Sequence, residues 1–437
     1  MPTPAERALA VFPAGSPGEY DLPPDLVTVL VRGEGAAVWD TQGRRFSDFT
    51  MGWGSVLLGH AHPAVVEAVR TRMGLGSNFA YITEPSLDLA EELVRAVACA
   101  ERVRFCASGT EATAYAVRLA RAHTGRPKVL KFEGAYHGAN EVGTVSLFPR
   151  RLLDFPRAEP TSAGLPSAVI EDILVAPYND LDVTGRILQT HGPEVAAIIV
   201  EPLHRCTPPR PGFLEGLREL ATGIGALLVF DEVVTGFRLA YGGAQAYYGV
   251  VPDLAALGKA LGGGLPIGAV VGRAEILDLV REDRLGEDRY VWFASSLGAN
   301  PLSAAAGLAA LAELRKPGTY DRLFALGAAL RGGLRAVLDD EGVVARVQGD
   351  GPLAAVVFTD HEVTDYRTAA RADRVRARAF LLGLFRRGIF LNPMSTKLYL
   401  SLAHTEADLG RFLDAARDAL REDVRRVPAR SGGRDEV

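Results

Sequence analysis

The sequence predicts an α/β protein with a mostly parallel central sheet covered by helices and a smaller α+β domain. Three observations lead there. Short apolar runs and helical patterns of about 10 to 15 residues alternate through the middle of the chain, the signature of parallel strands joined by helical crossovers. The chain has 437 residues, more than one ordinary core holds. Alternating apolar and polar residues appear only near the ends, where a sheet can face water on one side.

Taken in order, residues 1–61 read as an N-terminal segment that joins part of the small domain. VRGEGAAVWDTQGRRFSDFT alternates about Thr41-Gln42-Gly43 as a hairpin does. Residues 62–310 read as the large domain. HPAVVEAVRTRM and SLDLAEELVRAVA have helical spacing, and RVRFCAS, KVLKFEG, DILVAP, AAIIVEP, ALLVFDEV, DLAALG and IGAVVG read as buried strands. Residues 311–437 read as the rest of the small domain: an Ala/Leu/Arg-rich helical stretch after Pro317, a strand in LAAVVFTD, a last helix in EADLGRFLDAARDALRED, and a solvated tail.

Composition narrows the function. A net charge of −5 with 23% charged residues gives no basic surface for nucleic acid or an anionic membrane. No apolar run approaches the roughly 20 residues of a membrane span, and the first 20 residues lack the pattern of a signal peptide. Cys99, Cys106 and Cys206 cannot all pair and show no metal-binding spacing, so the chain is expected in a reducing, cytoplasmic setting.

Lys259 is the most informative residue. It stands alone among small apolar residues in VPDLAALGKALGGGLPIGAVVG, where a desolvated amine can be neutral near pH 7 and condense with an aldehyde. Asp231 closes the apolar run ALLVFDEV, where a buried carboxylate needs a cationic partner. Together they suggest a pyridoxal phosphate site: the lysine holds the aldehyde as a Schiff base and the aspartate pairs with the protonated pyridine nitrogen. A snorkelling lysine and a helix cap are what each residue would be alone.

Other residues fit the same site. Ser108, Gly109 and Thr110 open a helix after a strand, where free N–H groups can take a phosphate; an ordinary helix cap has the same pattern. Tyr136 and His137, in KFEGAYHGANE, can stack on a flat ring and pack or donate beside it, or simply anchor a loop. Glu201 ends the strand AAIIVEP and either joins the network around the cofactor or is structural.

These strings resemble the class III, or fold-type I, pyridoxal phosphate aminotransferases, and within them the glutamate-1-semialdehyde aminomutase branch. SGTEATAYAVRLARAHTGRPKVLKFEGAYHG, APYNDLD, PGFLEGLRELATGIGALLVFDEVVTGFR, GGAQAYYGVVPDLAALGKALGGGLPIGAVVGR and SLAHTEADL carry the likeness, which runs from about Val31 to the final helix. The resemblance implies Lys259 as Schiff-base lysine, Asp231 as partner of the pyridine nitrogen, Val233 beneath the ring and Tyr136 above it. It further implies phosphate binding by Gly109 and Thr110, with Ser296 from the other subunit of a homodimer whose sites lie at the subunit interface. Trp53 and Ser162 match positions near substrate.

The departures concern substrate. FPAGSPGEYDLPP offers Glu19 and Tyr20 and no arginine where the aminomutases are expected to hold a carboxylate, and Ser395-Thr396-Lys397 replaces a Phe-Glu-Ala-Gly-Phe string. Leu203-His204-Arg205-Cys206-Thr207 shortens a glycine-rich loop, and His204 with Arg205 is a candidate carboxylate anchor. The reading is therefore an aminotransferase acting between an amino acid or amino ketone as donor and a keto acid as acceptor, with aminomutase as the alternative. LGKALGGG is no nucleotide-binding loop, because Asp253 and Ala260 stand where that motif needs a glycine and a hydroxyl.

Overall fold

The computed structural model describes residues 2–16, 18, 21–392 and 397–427. Its contacts form two compact units. One comprises Met1–Pro63, Pro317–Val363 and Thr368–Glu436; the other comprises Ala64–Lys316 and Thr364–Arg367. The described strands are β1 (Leu30–Glu34), β2 (Ala37–Asp40), β3 (Arg45–Asp48), β4 (Arg102–Cys106), β5 (Lys128–Phe132), β6 (Ile173–Ala176) and β7 (Val195–Val200). They continue as β8 (Leu227–Asp231), β9 (Leu254–Leu257), β10 (Gly268–Gly272), β11 (Arg346–Gln348), β12 (Leu353–Val357), β13 (Ile389–Phe390) and β14 (Lys397–Tyr399).

The larger unit is built on a seven-stranded sheet of order β4-β10-β9-β8-β7-β5-β6. β6, β5, β7, β8 and β9 pair in parallel, while β10 is antiparallel to both β9 and β4. Six strands therefore run one way and present their carboxyl ends on one edge. All six residues of β7 and all five of β8 are buried, as strands covered on both faces must be. Val129, Ala197, Ile199, Val229 and Ala256 alternate along their strands to meet Ala112, Ala116, Leu119 and Ala120 of helix Gly109–Thr124. The alanines let helix and sheet approach closely, and each buried Ile or Val contributes about 1.5–3 kcal/mol. The helix is bounded by its own sequence: Ser108 caps it through Oγ, which accepts from the Glu111 N–H at 3.2 Å, and Gly125 ends it at φ 70°.

In the other unit β1, β2, β3 and β13 form one sheet and β11, β12 and β14 another. The hairpin between β2 and β3 turns where the sequence places it, because the Asp40 carboxylate accepts from the N–H groups of Gln42 and Arg44 and pairs with Arg44 Nε at 2.7 Å. Phe49, Leu330, Leu334, Phe380, Leu384 and Phe412 form its core, with the Phe49 and Phe412 rings 4.5 Å apart. Directly after Phe49 the backbone does something unusual: Met51, Gly52, Trp53 and Gly54 have φ of 46°, 57°, 57° and 82°, a turn of left-handed helix. Met51 and Trp53 carry side chains, so each costs about 1–2 kcal/mol relative to a right-handed conformation.

Among the described residues no helix is long and apolar enough to cross a membrane. The three cysteines are buried. Burial, reinforced by Glu232 beside Cys99 and Glu111 beside Cys106, pushes both of those thiols up to about 12. Neither Cys99 nor Cys106 should react with a thiol reagent at neutral pH in the native protein, and both should react on denaturation. Mass spectrometry of labelled peptides checks this, and native labelling at either position would contradict the burial.

Candidate active site

The parallel sheet assembles the site at its carboxyl edge, as open α/β sheets do. Asp231 is the last residue of β8 and is 6% exposed. Its Oδ2 lies 2.8 Å from His137 Nδ1, and its Oδ1 accepts from the Val233 N–H at 3.1 Å. A carboxylate has no proton to give, so the imidazole donates from Nδ1, leaving Nε2 buried without a hydrogen-bond partner. His137 comes from the loop after β5, and its carbonyl accepts from Thr113 Oγ1 at 2.6 Å and Asn140 Nδ2 at 2.9 Å.

The start of helix Gly109–Thr124 faces the same edge. The N–H of Glu111 is taken by Ser108 Oγ and that of Ala112 by the Ser108 carbonyl, which leaves those of Gly109 and Thr110 at the helix end. Thr110 Oγ1 accepts from the Ala139 N–H at 3.2 Å, joining this end to the Tyr136–His137 loop. A Cβ on Gly109 would lie 2.7 Å from Val233 Cγ1, and one on Gly258 would lie 3.4 Å from the same methyl and 3.5 Å from Gly109 Cα. A side chain at Gly109 would press into Val233, whereas one at Gly258 would meet its neighbours at ordinary contact distance.

Gly258 delivers Lys259. The lysine lies three positions beyond Ala256, which pairs with Asp231 across β8 and β9, and it is half-buried. Its φ of 46° is a strained value for a side-chain-bearing residue. Lys259, Asp231, Val233, His137 and the Ser108–Thr110 helix end thus belong to one cluster.

Tyr136 and Glu201 border that cluster. Glu201 Oε1 accepts the Tyr136 N–H at 2.7 Å, and Tyr136 is 37% exposed. Arg205 adopts φ 60°, donates from Nε to the Gly134 carbonyl at 2.9 Å, and lies 5.9 Å from the Tyr136 ring centre and 5.5 Å from that of Phe148. Its Nη2 is buried without a hydrogen-bond partner. His204 does not serve as an anchor. Its ring stacks on Tyr178 at 4.8 Å, and burial drives its pKa to about 4, so it is neutral at pH 7 and cannot attract a carboxylate by charge.

Ser296, Ser162 and Trp53 are also expected at the site. Ser296 is exposed, with its carbonyl accepting from Asn78 Nδ2 at 3.0 Å. Ser162 is also exposed and turns its hydroxyl to the Ala163 carbonyl at 3.0 Å. Trp53 belongs to the other unit, where it is half-buried on the left-handed turn. Glu19, Tyr20, Ser395 and Thr396 lie outside the described residues, while Lys397 places its Nζ 5.2 Å from the Tyr399 ring centre.

The class III aminotransferase model matches residues 22–418. The chain belongs to the class III aminotransferases. It is 44% identical over 401 residues to the glutamate-1-semialdehyde 2,1-aminomutase of Thermomicrobium roseum, covering 91% of each chain. Among solved structures it resembles an omega-transaminase from Sphaerobacter thermophilus, with a TM-score of 0.90 and 37% identity over 97% of each chain. It also resembles a transaminase with pyridoxal phosphate bound, with a TM-score of 0.87 and 31% identity over 97% of each chain. The architecture is fold type I, and the cofactor of this aminotransferase family member is pyridoxal 5'-phosphate.

The residues present fit that cofactor. Two backbone N–H groups and the Thr110 hydroxyl stand at a helix end that could take a phosphate, and a buried carboxylate backed by a histidine could accept from a ring N–H. The glycine-lined floor leaves Val233 as the apolar surface beside them.

Lys131 is a residue the sequence reading missed, although a lysine inside the apolar run KVLKF is the signal that points to it. It is fully buried, and its Nζ donates to the carbonyls of Ala135 (3.1 Å), Val142 (2.9 Å) and Val145 (2.6 Å), tying down the loop that carries Tyr136 and His137. Burial pulls its pKa from 10.5 to about 7, with Glu201 opposing the fall. A lysine depressed on folding binds fewer protons folded than unfolded between those two values, so its contribution to stability rises with pH across that window. Lys131→Met removes this slope. The urea midpoint of the parent minus that of the variant should therefore grow as pH is raised from about 7 to about 10; a difference independent of pH would show that Lys131 keeps its ordinary pKa.

Proposed function

We propose that this protein moves an amino group on its pyridoxal phosphate, with Lys259 as the amine that holds the cofactor's aldehyde and then moves the proton. The observation that carries the reading is the convergence of Lys259, the paired Asp231 and the Ser108–Thr110 helix end on one edge of the sheet. When bound, the protonated ring acts as an electron sink for the carbon next to the substrate nitrogen. Asp231 keeps the proton on the pyridine nitrogen, and His137 fixes which oxygen it offers. Lys259 would take the proton from the substrate carbon as general base and return it to the cofactor's aldehyde carbon, on the far side of the substrate nitrogen. Tyr136 covers the ring, and Glu201 holds the Tyr136 backbone.

Of the two forms of this chemistry, likeness to the curated relatives favours the intramolecular one, the glutamate-1-semialdehyde 2,1-aminomutase reaction. A second reading is transamination between an amino acid or amino ketone and a keto acid. It is supported by the lack of arginine in residues 12–24 and by the likeness to the omega-transaminase. Arg205, with an unpartnered Nη2, is the residue we assign to a substrate carboxylate in either form, and Trp53 and Ser162 to the substrate side. Three cysteines that cannot all pair support a reducing, cytoplasmic location.

The functional unit in this proposal is a homodimer, with Ser296 reaching the phosphate of the neighbouring subunit. The Ser296 carbonyl accepts from Asn78 Nδ2, and Tyr81 (80% exposed), Ile82 (72%) and Trp292 (63%), from the same two segments of chain, are large apolar side chains left exposed in the single subunit, which supports an interface there. Diluting the enzyme should lower its specific activity in step with its mass in solution; a fully active monomer would refute the dimer.

Glutamate-1-semialdehyde supplied without a keto acid should be converted to aminolevulinate through many turnovers. Conversion only of an amine together with a keto acid would establish the transaminase instead. Lys259→Ala should cost on the order of a thousandfold or more in either reaction and leave the cofactor dialysable. Full activity in that variant would remove both readings.

A further inference from the structure

We infer that Asp48 is a positioning residue for Trp53, and that it governs amine binding by holding the left-handed turn on which the indole is mounted. The inference rests on the proposed function for its statement that Trp53 faces substrate.

A left-handed turn of L-residues does not hold itself, so its surroundings must determine it. Here one carboxylate does so. Asp48 is 1% exposed, and its Oδ1 accepts from the N–H groups of Thr50 at 2.7 Å and Met51 at 2.9 Å, which fixes the entry to the turn. Its Oδ2 meets His60 Nε2 at 2.7 Å. The backbone of Asp48 is pinned as well: its N–H donates to the Ala36 carbonyl at 2.8 Å, and its carbonyl accepts from His404 Nε2 at 3.0 Å. With the entry fixed, Gly54 N–H closes on the Thr50 carbonyl at 3.0 Å and Val56 N–H on that of Met51 at 3.1 Å.

A simple chain reversal does not need this geometry. Right-handed turns accept most residues without strain, yet here two side-chain-bearing residues are held in the left-handed region. Strain of this kind persists where placement of a side chain matters, and the side chain placed is Trp53. A second observation concerns the same turn: Thr50 is 4% exposed, and its hydroxyl has no hydrogen-bond partner, so the turn holds a polar group that the fold leaves unused.

The test is a double-mutant cycle on the holoenzyme, with 5-aminolevulinate or L-alanine plus a keto acid, whichever the parent converts. Trp53→Ala and Asp48→Ala should each lower kcat/KM about 10- to 100-fold, through KM more than kcat, with cofactor affinity unchanged. Combined, they should cost no more than Trp53→Ala alone. Asp48→Asn, which keeps the Oδ1 acceptor, should recover part of the loss. Additive losses, or a loss equal in kcat and KM, would overturn the inference. If Asp48→Ala does not fold, Gly52→Ala replaces it in the cycle, because its Cβ would lie 2.7 Å from Ser55 Oγ and 3.0 Å from Val56 Cγ2. If the parent converts neither amine, glutamate-1-semialdehyde without a keto acid still tests the proposed function, and fluorescence decides the inference. In a Trp39→Phe/Trp292→Phe background only Trp53 emits, and Asp48→Ala, or Gly52→Ala if that variant does not fold, should shift its emission and lower its anisotropy. An unchanged signal would overturn the inference.

Discussion

A carboxylate buried at the end of a parallel strand is expensive unless every oxygen is engaged, and the large unit is organised around meeting that demand at Asp231. One oxygen draws in His137 from the loop after β5; the other takes the Val233 N–H and so sets the course of the chain after β8. Val233 then packs against Gly109 and Gly258, which brings the helix end and the Lys259 segment alongside. Four stretches far apart in sequence meet because one charge has to be satisfied.

The loop carrying Tyr136 and His137 is stabilised from beneath as well. An irregular loop has no ladder to satisfy its carbonyls, and Lys131 supplies three donors from inside the strand. Thr113 and Asn140 hold the His137 carbonyl from the other side. The histidine that orients Asp231 therefore sits on loop backbone that is hydrogen-bonded almost as a strand would be. That rigidity suits a group whose task is to keep a carboxylate oxygen aimed in one direction.

The departures from the aminomutase pattern spare this framework. They lie in residues 12–24, in the shortened loop around Arg205 and near residue 396, whereas Lys259, Asp231 and the Ser108–Thr110 turn are intact. Arg205 shows how such a change remains compatible with the fold. Its guanidinium is carried against the Tyr136 and Phe148 rings and a carbonyl, so a charge enters the border of the site with partners of its own. In the proposed function cofactor chemistry and substrate choice rest on different residues, so the second could vary while the first is kept.

The seven strands of the large sheet, the helix opened by Ser108 and the hairpin turned by Asp40 were legible in the sequence, because each follows from periodicity or from a cap a few residues away. Lys259 and Asp231 were legible for a related reason: a charge in an apolar run is conspicuous wherever the run folds. The sequence by itself thus determined the alternating architecture, the family likeness and the cofactor that goes with it. The pairing of His137 with Asp231, the neutral packing of His204, the anchoring by Lys131 and the left-handed turn under Asp48 were decided only by tertiary structure. Each depends on groups brought together by closure of long loops, as when Asp48 meets His404, and no local pattern records which distant partner a buried polar atom will find.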